Sequence, residues 1–325
     1  MYALSKTPIS LETAQTLIAA HFGGRAKIDR YTELTDGMYN AAYLIELVDG
    51  QKSVLKVAPP DHVKVLRYEK NIMRAEVDVL RLVRAQTEAP VPEVLAYDTS
   101  RRLIGQEYYL MDFIPGVGLQ KLRKQLSVED QRAIDFRTGE YLRQINAITG
   151  PCFGYFAQPE FHFSTWREAF SRMIEGVLQD GRDAGVELPV PYEALSARLP
   201  TFYPALDEVT QPVLVHWDLW DGNILVDPET KTIAGILDFE RALWAEPLME
   251  TNFDAFGTNP AVVEGYGLDL LAAPTATTRR ALYNIYLWLI MIIECTYRQY
   301  ETKDQENWIR PKLVEEMKKL DGGGL

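Results

Sequence analysis

Along the first third of the chain, short apolar runs alternate with polar turns, a pattern typical of antiparallel strands. It predicts strands at Ile28–Leu34, Tyr43–Val48, Lys52–Val57, Val94–Tyr97 and Glu107–Phe113, with Asp49-Gly50 as a hairpin turn. Two amphipathic helices are predicted beside them, Ser10–Phe22 with Ser10 as its N-cap, and the longer Val63–Arg84. The pattern therefore predicts a β-rich block with one long helix over residues 1–113.

The pattern changes after residue 113. The stretch Ile114-Pro-Gly-Val-Gly118 is short and rich in Pro and Gly, which predicts a hinge. Beyond it, helices are predicted at Ser127–Ile145, Trp166–Arg182 and Tyr192–Leu206, short strands around a hairpin at Asp227–Thr232, and mostly helix from Pro247 onward. The apolar stretch Leu282–Cys295 is too short and too polar to span a bilayer, and it predicts a buried helix.

The most informative segment is Val213-Leu-Val-His-Trp-Asp-Leu-Trp-Asp-Gly-Asn-Ile-Leu-Val-Asp227, followed by Ile236-Leu-Asp-Phe-Glu240. Two apolar runs flank a polar loop that contains His216, Asp218 and Asn223, and a second loop begins at Asp238. Asp-Gly-Asn alone is a common turn sequence. The complete spacing is far more specific, because phosphoryl transfer needs a carboxylate for the acceptor's proton, plus an Asn and an Asp that hold magnesium on the phosphates. The segment predicts a kinase-type site.

This segment resembles the aminoglycoside phosphotransferase and choline kinase superfamily, whose pattern is close to His-Gly-Asp-Leu-His-x-Gly-Asn-Ile-Leu … Ile-Ile-Asp-Phe/Trp-Glu. Trp217 stands in place of the usual Gly and Trp220 in place of the frequent second His. Both changes alter the floor of the acceptor site. The alternative is that the two tryptophan side chains pack inside the larger lobe, and this alternative is favoured for Trp217.

The resemblance implies a protein-kinase-like, two-lobed α+β fold. It predicts a small β-rich N-terminal nucleotide-binding lobe (residues 1–113), a hinge (114–118) and a larger, mostly helical lobe (119–325) that binds the acceptor. It also implies that Asp218 accepts or orients the acceptor's hydroxyl proton, that His216 supports the loop, and that Asn223 and Asp238 bind Mg²⁺.

The resemblance further predicts how a nucleotide is held. Lys56 matches the family's strand lysine, which holds nucleotide phosphates, and Glu76 is its expected partner because Arg74-Ala-Glu-Val-Asp-Val-Leu80 meets the family spacing. Glu69 is the other candidate, and a surface role for the Glu stays open. Without the family context, Lys56 would simply extend its amine to water.

Two further segments are expected to meet the nucleotide. Thr35–Asn40 resembles the family's phosphate-covering loop, Gly-x-x-Asn, through Gly37 and Asn40, although an ordinary hairpin turn fits equally well. The segment Tyr109-Leu-Met-Asp-Phe-Ile-Pro-Gly116 resembles the family's Met-Glu-x-x-x-Gly linker. By that match, Asp112 and Ile114 are expected to offer a carbonyl and an N–H to the base. Because no side chain reads the base there, ATP is the default donor and GTP stays open.

Composition and charge narrow the partners. The chain has 325 residues, 47% of them hydrophobic, and a net charge of −12. The negative charge argues against nucleic acid as a main partner and suits a cationic substrate, or solubility alone. Two unpatterned cysteines and four histidines without ligand spacing fit a reducing cytoplasm and no zinc site. We expect a cytoplasmic enzyme with no secretion signal at Met1–Pro8, no membrane partner and an oligomeric state left open.

Acidic and aromatic residues after position 240 bear on the acceptor. They are Glu246, Glu250, Asp254, Asp269 and Glu294, beside Trp244, Tyr266, Trp288 and Tyr297. Together they suit a small cationic hydroxyl compound such as an aminoglycoside, amino sugar or amino alcohol, but core aromatics and surface acids are an equally good interpretation. Members of the superfamily also phosphorylate neutral sugars, macrolides, homoserine and methylthioribose, so the resemblance indicates the reaction rather than the substrate.

Two competing functions are less well supported. A protein kinase is disfavoured because Asp238-Phe-Glu240 replaces Asp-Phe-Gly, no Ala-Pro-Glu motif follows, and little room remains for an activation loop before Pro247. A catalytically silent binding protein with the same fold is disfavoured because the catalytic positions are intact. The sequence therefore predicts a small-molecule kinase.

Overall fold

An antiparallel five-stranded sheet organises the N-terminal part of the computed structural model, which describes residues 6–35, 37, 39–300 and 302–322. Residues 1–5, Asp36 and Met38 of the predicted phosphate loop, Glu301 and the tail from residue 323 lie outside the described residues. In chain order the elements are α1 (Leu11–Phe22), β1 (Ile28–Leu34), β2 (Ala41–Leu47), β3 (Lys52–Val57), α2 (Ile72–Gln86), β4 (Val94–Asp98) and β5 (Tyr108–Asp112). The sheet order is β1-β2-β3-β5-β4.

The predicted strands are confirmed, and local signals explain them. Gly50 adopts a φ of 90° between β2 and β3, a conformation that glycine accepts without steric cost. Ser10 caps α1 by accepting a hydrogen bond from the Thr13 N–H at 3.1 Å. The apolar face of α1, including Leu17 and Ile18, packs on one side of the sheet.

The predicted helix Val63–Arg84 is wrong in its first third, because α2 begins only at Ile72. The backbone of residues 67–70 is held by a distant side chain instead. Gln158 Nε2 donates to the carbonyls of Arg67 (3.3 Å), Tyr68 (2.9 Å) and Lys70 (3.0 Å). Asn71 then takes a left-handed φ of 58°, which interrupts a helix. We call residues 58–71 the strap, because this segment joins β3 to α2 while it is bound to the C-terminal part.

The C-terminal part is mostly helical. Its elements are β6 (Val117–Gly118), α3 (Leu119–Leu122), α4 (Val128–Asn146), β7 (Gly154–Tyr155), α5 (Trp166–Asp183), α6 (Tyr192–Arg198), β8 (Val213–Val215), β9 (Ile224–Val226), β10 (Ile233–Ile236), β11 (Leu243–Ala245), α7 (Pro260–Tyr266), α8 (Ala276–Arg298) and α9 (Asp304–Leu320). The short strands form two three-stranded sheets, β10-β9-β6 and β7-β11-β8. Helices α4 and α7 meet closely at Gly139 and Gly265; a Cβ at Gly265 would lie 1.9 Å from the Phe136 carbonyl oxygen.

Two helix predictions in this part need correction. The helix predicted at Tyr192–Leu206 ends at Arg198 and continues to Glu208 as a 3₁₀-helix that contains Pro204, because proline cannot donate an α-helical hydrogen bond. The region after Pro247 is not continuously helical; turns separate β11, α7 and α8. The buried helix over Leu282–Cys295 is confirmed within α8, and none of the helices in the described ranges is long and apolar enough to cross a membrane. A β-sheet N-terminal region and a helical C-terminal region confirm the predicted kinase-like α+β fold.

Candidate active site

The loop between β8 and β9 is tied to the loop that begins at Asp238 through His216. The ring is buried; its Nε2 lies 3.0 Å from the Leu237 carbonyl, and its Nδ1 lies 3.2 Å from the Asp218 backbone N. One ring nitrogen that donates and one that accepts require a neutral imidazole. Burial lowers the pKa of His216 to about 4, so the ring is neutral near pH 7. His216 therefore holds the two loops in register, as its predicted supporting role requires.

A buried carboxylate, Glu250, lies directly beneath this loop. Its two oxygens accept the backbone N–H groups of His216 (2.8 Å) and Trp217 (2.9 Å), and Asn146 Nδ2 donates to it at 3.0 Å. The sequence places Glu250 among the acids that suit a cationic acceptor, but in the structure its carboxylate is bound inside the protein. The sequence signal for this burial is that Glu250 directly follows the apolar pair Leu248-Met249. A buried carboxylate needs partners inside the protein.

Asp218, Asn223 and Asp238 meet where the two loops converge. Asn223 Nδ2 donates to the Asp218 carbonyl at 2.8 Å, and the Leu237 N–H donates to the Asn223 carbonyl at 2.9 Å, which sets Asp238 beside Asn223. Burial raises the pKa of the Asp218 carboxyl to about 7, although the nearby Arg241 partly opposes this. A carboxyl with a pKa near 7 can both take up and release a proton under physiological conditions.

The predicted pair of Lys56 and Glu76 is present, with Lys56 Nζ 2.7 Å from Glu76 Oε1. Lys56 also forms an ion pair with Asp238, which joins strand β3 to the second loop. Burial alone would raise the pKa of Asp238, but Lys56 more than offsets this effect and the pKa lies below its usual value. Glu69, the other candidate partner, instead pairs with Arg298.

The predicted phosphate loop approaches the same place. Gly37 is exposed, whereas Asn40 is buried and its Nδ2 donates to Glu240 Oε2 at 2.8 Å. Burial and the neighbouring Asp238 raise the pKa of Glu240 to about 8. The sequence reasoning missed the contact between Asn40 and Glu240, which are 200 positions apart.

The predicted hinge residues lie between the sheet and the β9–β10 hairpin. The Asp112 N–H donates to the Glu93 carbonyl at 3.0 Å, and Asp112 Oδ1 accepts the Glu93 N–H at 2.6 Å. The Ile114 side chain rests on Gly235, where an added Cβ would lie 2.8 Å from Ile114 Cδ1. Asp112 and Ile114 also line a cleft of about 520 Å³ that the end of α2 and Ala234 close on its other sides.

The donor atoms present fit a magnesium ion that arrives with a nucleotide. The amide nitrogen of Asn223 is engaged, so its oxygen is the atom left to act as a ligand, and Asp238 adds a carboxylate. Magnesium prefers such oxygen ligands and usually binds one or two carboxylates together with substrate phosphates. No group of three or more His, Cys, Asp or Glu residues in the described parts of the chain makes a metal site unaided. Phosphate oxygens would therefore have to complete the set.

The surroundings of Asp218 differ from what the sequence suggested. Trp217 is buried and stacks on Tyr286 with ring centroids 5.3 Å apart, whereas Trp220 is 47% exposed. Among the acids considered above, Glu246 is engaged by Arg279 at 2.7 Å, while Glu294 lies near enough to Asp218 to raise its pKa. The four aromatic residues do not form an exposed wall, since Trp244, Tyr266 and Trp288 are buried and Tyr297 is half-buried. Arg241 and Tyr68, which the sequence reasoning did not single out, lie beside this site.

Known proteins share sequence and fold with this chain. The model of the Phosphotransferase enzyme family matches residues 30–260. A Vibrio vulnificus protein named as a probable ketoamine kinase is 23% identical over 284 residues, which are 86% of this chain and 89% of that protein. The chain spans about a quarter of the length of the first curated relatives that it matches; an Arabidopsis thaliana protein named as a probable acyl-CoA dehydrogenase is 25% identical over 219 residues, 65% of this chain and 26% of that protein.

The fold is shared with solved structures of low sequence identity. A thermostable mutant of aminoglycoside phosphotransferase APH(4)-Ia, in ternary complex with AMP-PNP and hygromycin B, superposes with a TM-score of 0.64 at 17% identity. The match covers 96% of this chain and 100% of that one. This likeness shows a common fold.

Proposed function

We propose that this chain, which belongs to the phosphotransferase enzyme family, is a small-molecule kinase that transfers the γ-phosphate of a nucleoside triphosphate to a hydroxyl group of a small acceptor. ATP is the proposed donor, with GTP as the alternative. One observation carries the proposal: Lys56, Asp218, Asn223 and Asp238, from three separate stretches of the chain, converge on one site through the contacts described above.

In the proposed reaction, the acceptor's hydroxyl oxygen attacks the γ-phosphorus while its proton passes to an Asp218 oxygen. The bond between the γ-phosphorus and the bridging oxygen breaks, and the nucleoside diphosphate leaves with that oxygen. A carboxylate held at a pKa near 7 suits this proton transfer. His216 and Glu250 keep the loop in place, so that Asp218 is oriented before the acceptor arrives.

Binding of the nucleotide donor is proposed to depend mainly on electrostatic interactions with its phosphates. Lys56 would neutralise phosphate charge, with Glu76 orienting its amine. Asn223 and Asp238 would hold Mg²⁺, which supplies positive charge on the donor phosphates when bound. Gly37 and Asn40 would cover the phosphates, and the main chain at Asp112 and Ile114 would meet the base.

The acceptor is proposed to be small and hydroxylated. The sequence favoured a cationic compound such as an aminoglycoside, amino sugar or amino alcohol, and Glu294 is the acid among those considered that lies near Asp218. A cytoplasmic location belongs to the same proposal, since Cys152 and Cys295 are both free thiols.

The direct test is donor consumption in the presence of Mg²⁺ with a panel of amino sugars, aminoglycosides, amino alcohols, neutral sugars and sugar acids. We expect turnover with at least one compound, and Asp218→Asn should lower it by at least about a hundredfold, the usual contribution of a general base. Nucleotide binding should change little, because Asp218 faces the acceptor. Turnover on protein substrates alone, or near-normal turnover in Asp218→Asn, would contradict the proposal.

A further inference from the structure

The acceptor side of Asp218 is walled by charged and aromatic side chains that three distant segments bring together. The strap contributes Tyr68 and Glu69, and the loop after Asp238 contributes Arg241. The end of α8 contributes Glu294 and Arg298, and Tyr300 lies two residues beyond the helix. We call these six residues the arginine pocket. Their positions within the larger fold come from contacts that no local sequence pattern specifies.

Arg241 lies near Asp218 through the Tyr68 ring, whose centroid is 6.1 Å from that of Trp217, the residue before Asp218, and the positive charge of Arg241 lowers the pKa of the Asp218 carboxyl. Its guanidinium lies 5.4 Å from the centroid of the Tyr68 ring, so the aromatic face orients it. It makes one long hydrogen bond, from Nη2 to Glu294 Oε2 at 3.3 Å. Within the described residues, its Nε and Nη1 donate to no protein group, and 17% of the side chain is exposed. Arg241 therefore presents spare donors beside the proposed base.

The two carboxylates of the arginine pocket are already satisfied. Glu69 accepts the Leu66 N–H at 2.8 Å and the Tyr68 hydroxyl at 3.3 Å, and it pairs with Arg298. Glu294 accepts from Gln305 Nε2 at 3.0 Å in addition to Arg241. A cationic group that entered here would have to displace these partners, and leaving an arginine without a partner in a buried site is costly.

Groups that can donate a hydrogen bond are, in contrast, left without partners around the pocket. The Trp217 indole N–H and the Tyr300 hydroxyl are buried and meet no hydrogen-bond partner among the described residues. An indole N–H can only donate. An unsatisfied buried donor is unfavourable, and the free edge of Arg241, whose side chain is 17% exposed, can be reached by the oxygen atoms of a ligand.

We propose that the acceptor is a small hydroxy acid, whose anionic oxygen group binds Arg241 while its hydroxyl group faces Asp218. This inference rests on the proposed function and replaces the cationic acceptor that the sequence favoured with an anionic one. Arginine suits the role because its planar fork matches a carboxylate with two parallel hydrogen bonds. The guanidinium would then both select the acceptor and set the distance between its hydroxyl group and Asp218.

The test compares acceptors that share a skeleton and differ in charge: glycerate, glycerol and serinol, then glucuronate, glucose and glucosamine. Donor consumption and the thermal stability of the complex with Mg²⁺ and nucleotide are measured for each. We expect at least one carboxylate compound to exceed its neutral and amino partners by about tenfold or more in kcat/KM. Arg241→Gln should abolish this preference, Arg241→Lys should retain part of it, and Arg132→Gln, at an exposed pair with Glu264, should leave it intact.

The possible outcomes separate the competing roles. If Arg241→Gln lowers turnover equally for all compounds and for background hydrolysis of the donor, Arg241 acts on the transferred phosphoryl group and the proposal is overturned. A preference for the amino compounds, or a panel in which no carboxylate compound responds, overturns it as well. In those cases the proposed function still stands if wild-type protein hydrolyses the donor with Mg²⁺ and Asp238→Ala does not. Should Arg241→Gln fail to fold, Tyr300→Phe, which removes one spare hydroxyl group, should weaken the carboxylate preference several-fold in a stable protein, and an unchanged preference would contradict the proposal.

Discussion

At the scale of single residues, His216 ties stability to pH. Its pKa is lowered from 6.5 to about 4, chiefly by burial. Between these values the unfolded chain binds a proton that the folded protein excludes, so the contribution to stability is complete above pH 6.5 and is lost as the pH falls towards 4. A shift of this size corresponds to about 3 kcal/mol.

We therefore expect the difference in unfolding free energy between wild type and His216→Gln to shrink by about 3 kcal/mol from pH 7 to pH 4. Urea denaturation at a series of pH values measures it. Because other titrating groups are common to both proteins, they cancel in the difference. A constant difference over this range would show that the histidine is not held neutral.

The backbone conformation of Trp217 explains why the family pattern has a glycine at this position. Its φ is 63°, a left-handed conformation that costs a side chain about 1 kcal/mol. The ring nevertheless packs on Tyr286 and Tyr68, and truncating a buried tryptophan to alanine costs about 3–5 kcal/mol. Packing therefore outweighs the backbone strain.

This balance predicts an unusual order of two variants. Both Trp217→Ala and Trp217→Gly should lose stability, but the glycine variant should be the more stable by about 0.5–1 kcal/mol, because glycine adopts this φ freely. Denaturant unfolding gives the order, and Trp220→Ala, at a 47% exposed side chain, is the matched control with a small effect. The reverse order would mean that the backbone relaxes once the ring is gone.

At the scale of elements, Arg123 connects the segment that follows residues 114–118 to the loop between β8 and β9, which contains Asp218. The guanidinium pairs with both oxygens of Asp221, which lies between Asp218 and Asn223 in the loop, and with both oxygens of Asp135 on α4, at 2.8 and 3.1 Å. Asn259, the N-cap of α7, also donates to Asp135 at 2.8 Å. Arg123 thus links α4 to the loop that positions the proposed base, and Asp135 extends this link to α7.

Arg123→Lys should lower phosphoryl transfer by about tenfold or more, because lysine keeps the charge but lacks the planar fork that contacts two carboxylates at once. The loss should fall on kcat rather than on nucleotide affinity, and steady-state kinetics with a responsive acceptor measures it. Arg132→Lys, at the exposed pair between α4 and α7, should leave kcat unchanged. Equal kcat values in wild type and Arg123→Lys would remove the proposed coupling.

At the scale of the whole molecule, the N-terminal sheet region and the C-terminal helical region contact each other through charged and polar side chains. Lys56 on the sheet pairs with Asp238, and Asn40 contacts Glu240, both on the loop that follows β10. The strap adds Arg67, which pairs with Asp180 and, at 2.8 Å, with Asp183 on α5. A magnesium-bound nucleotide is proposed to bind at Lys56 and Asp238 and to exchange this ion pair for phosphate and metal contacts.

Nucleotide should therefore raise the melting temperature much more with magnesium than with a chelator. Asn223 and Asp238 carry one formal negative charge between them, which makes a weak metal site until phosphates arrive. Asp238→Ala should erase most of the difference, while Asp227→Ala, at the turn between β9 and β10, should preserve it. Thermal unfolding monitored with and without chelator is sufficient, and an equal gain in both conditions would contradict the metal assignment.

Local patterns determined a large part of this protein. Strand alternation placed Lys56 on β3, and the spacing of Asp218, Asn223 and Asp238 predicted that they lie on neighbouring loops, because each of these features depends on residues close in sequence. The tertiary structure alone decided the rest. The strap forms a 3₁₀ turn at Arg67–Glu69 instead of an α-helix because Gln158, about 90 positions away, binds its carbonyls. Glu250 holds the loop between β8 and β9 because folding brings it beneath two N–H groups. Arg241 acquires its place beside Asp218 only when the strap and the end of α8 close around it, since its partners come from segments whose contacts are set by long-range packing rather than by propensity.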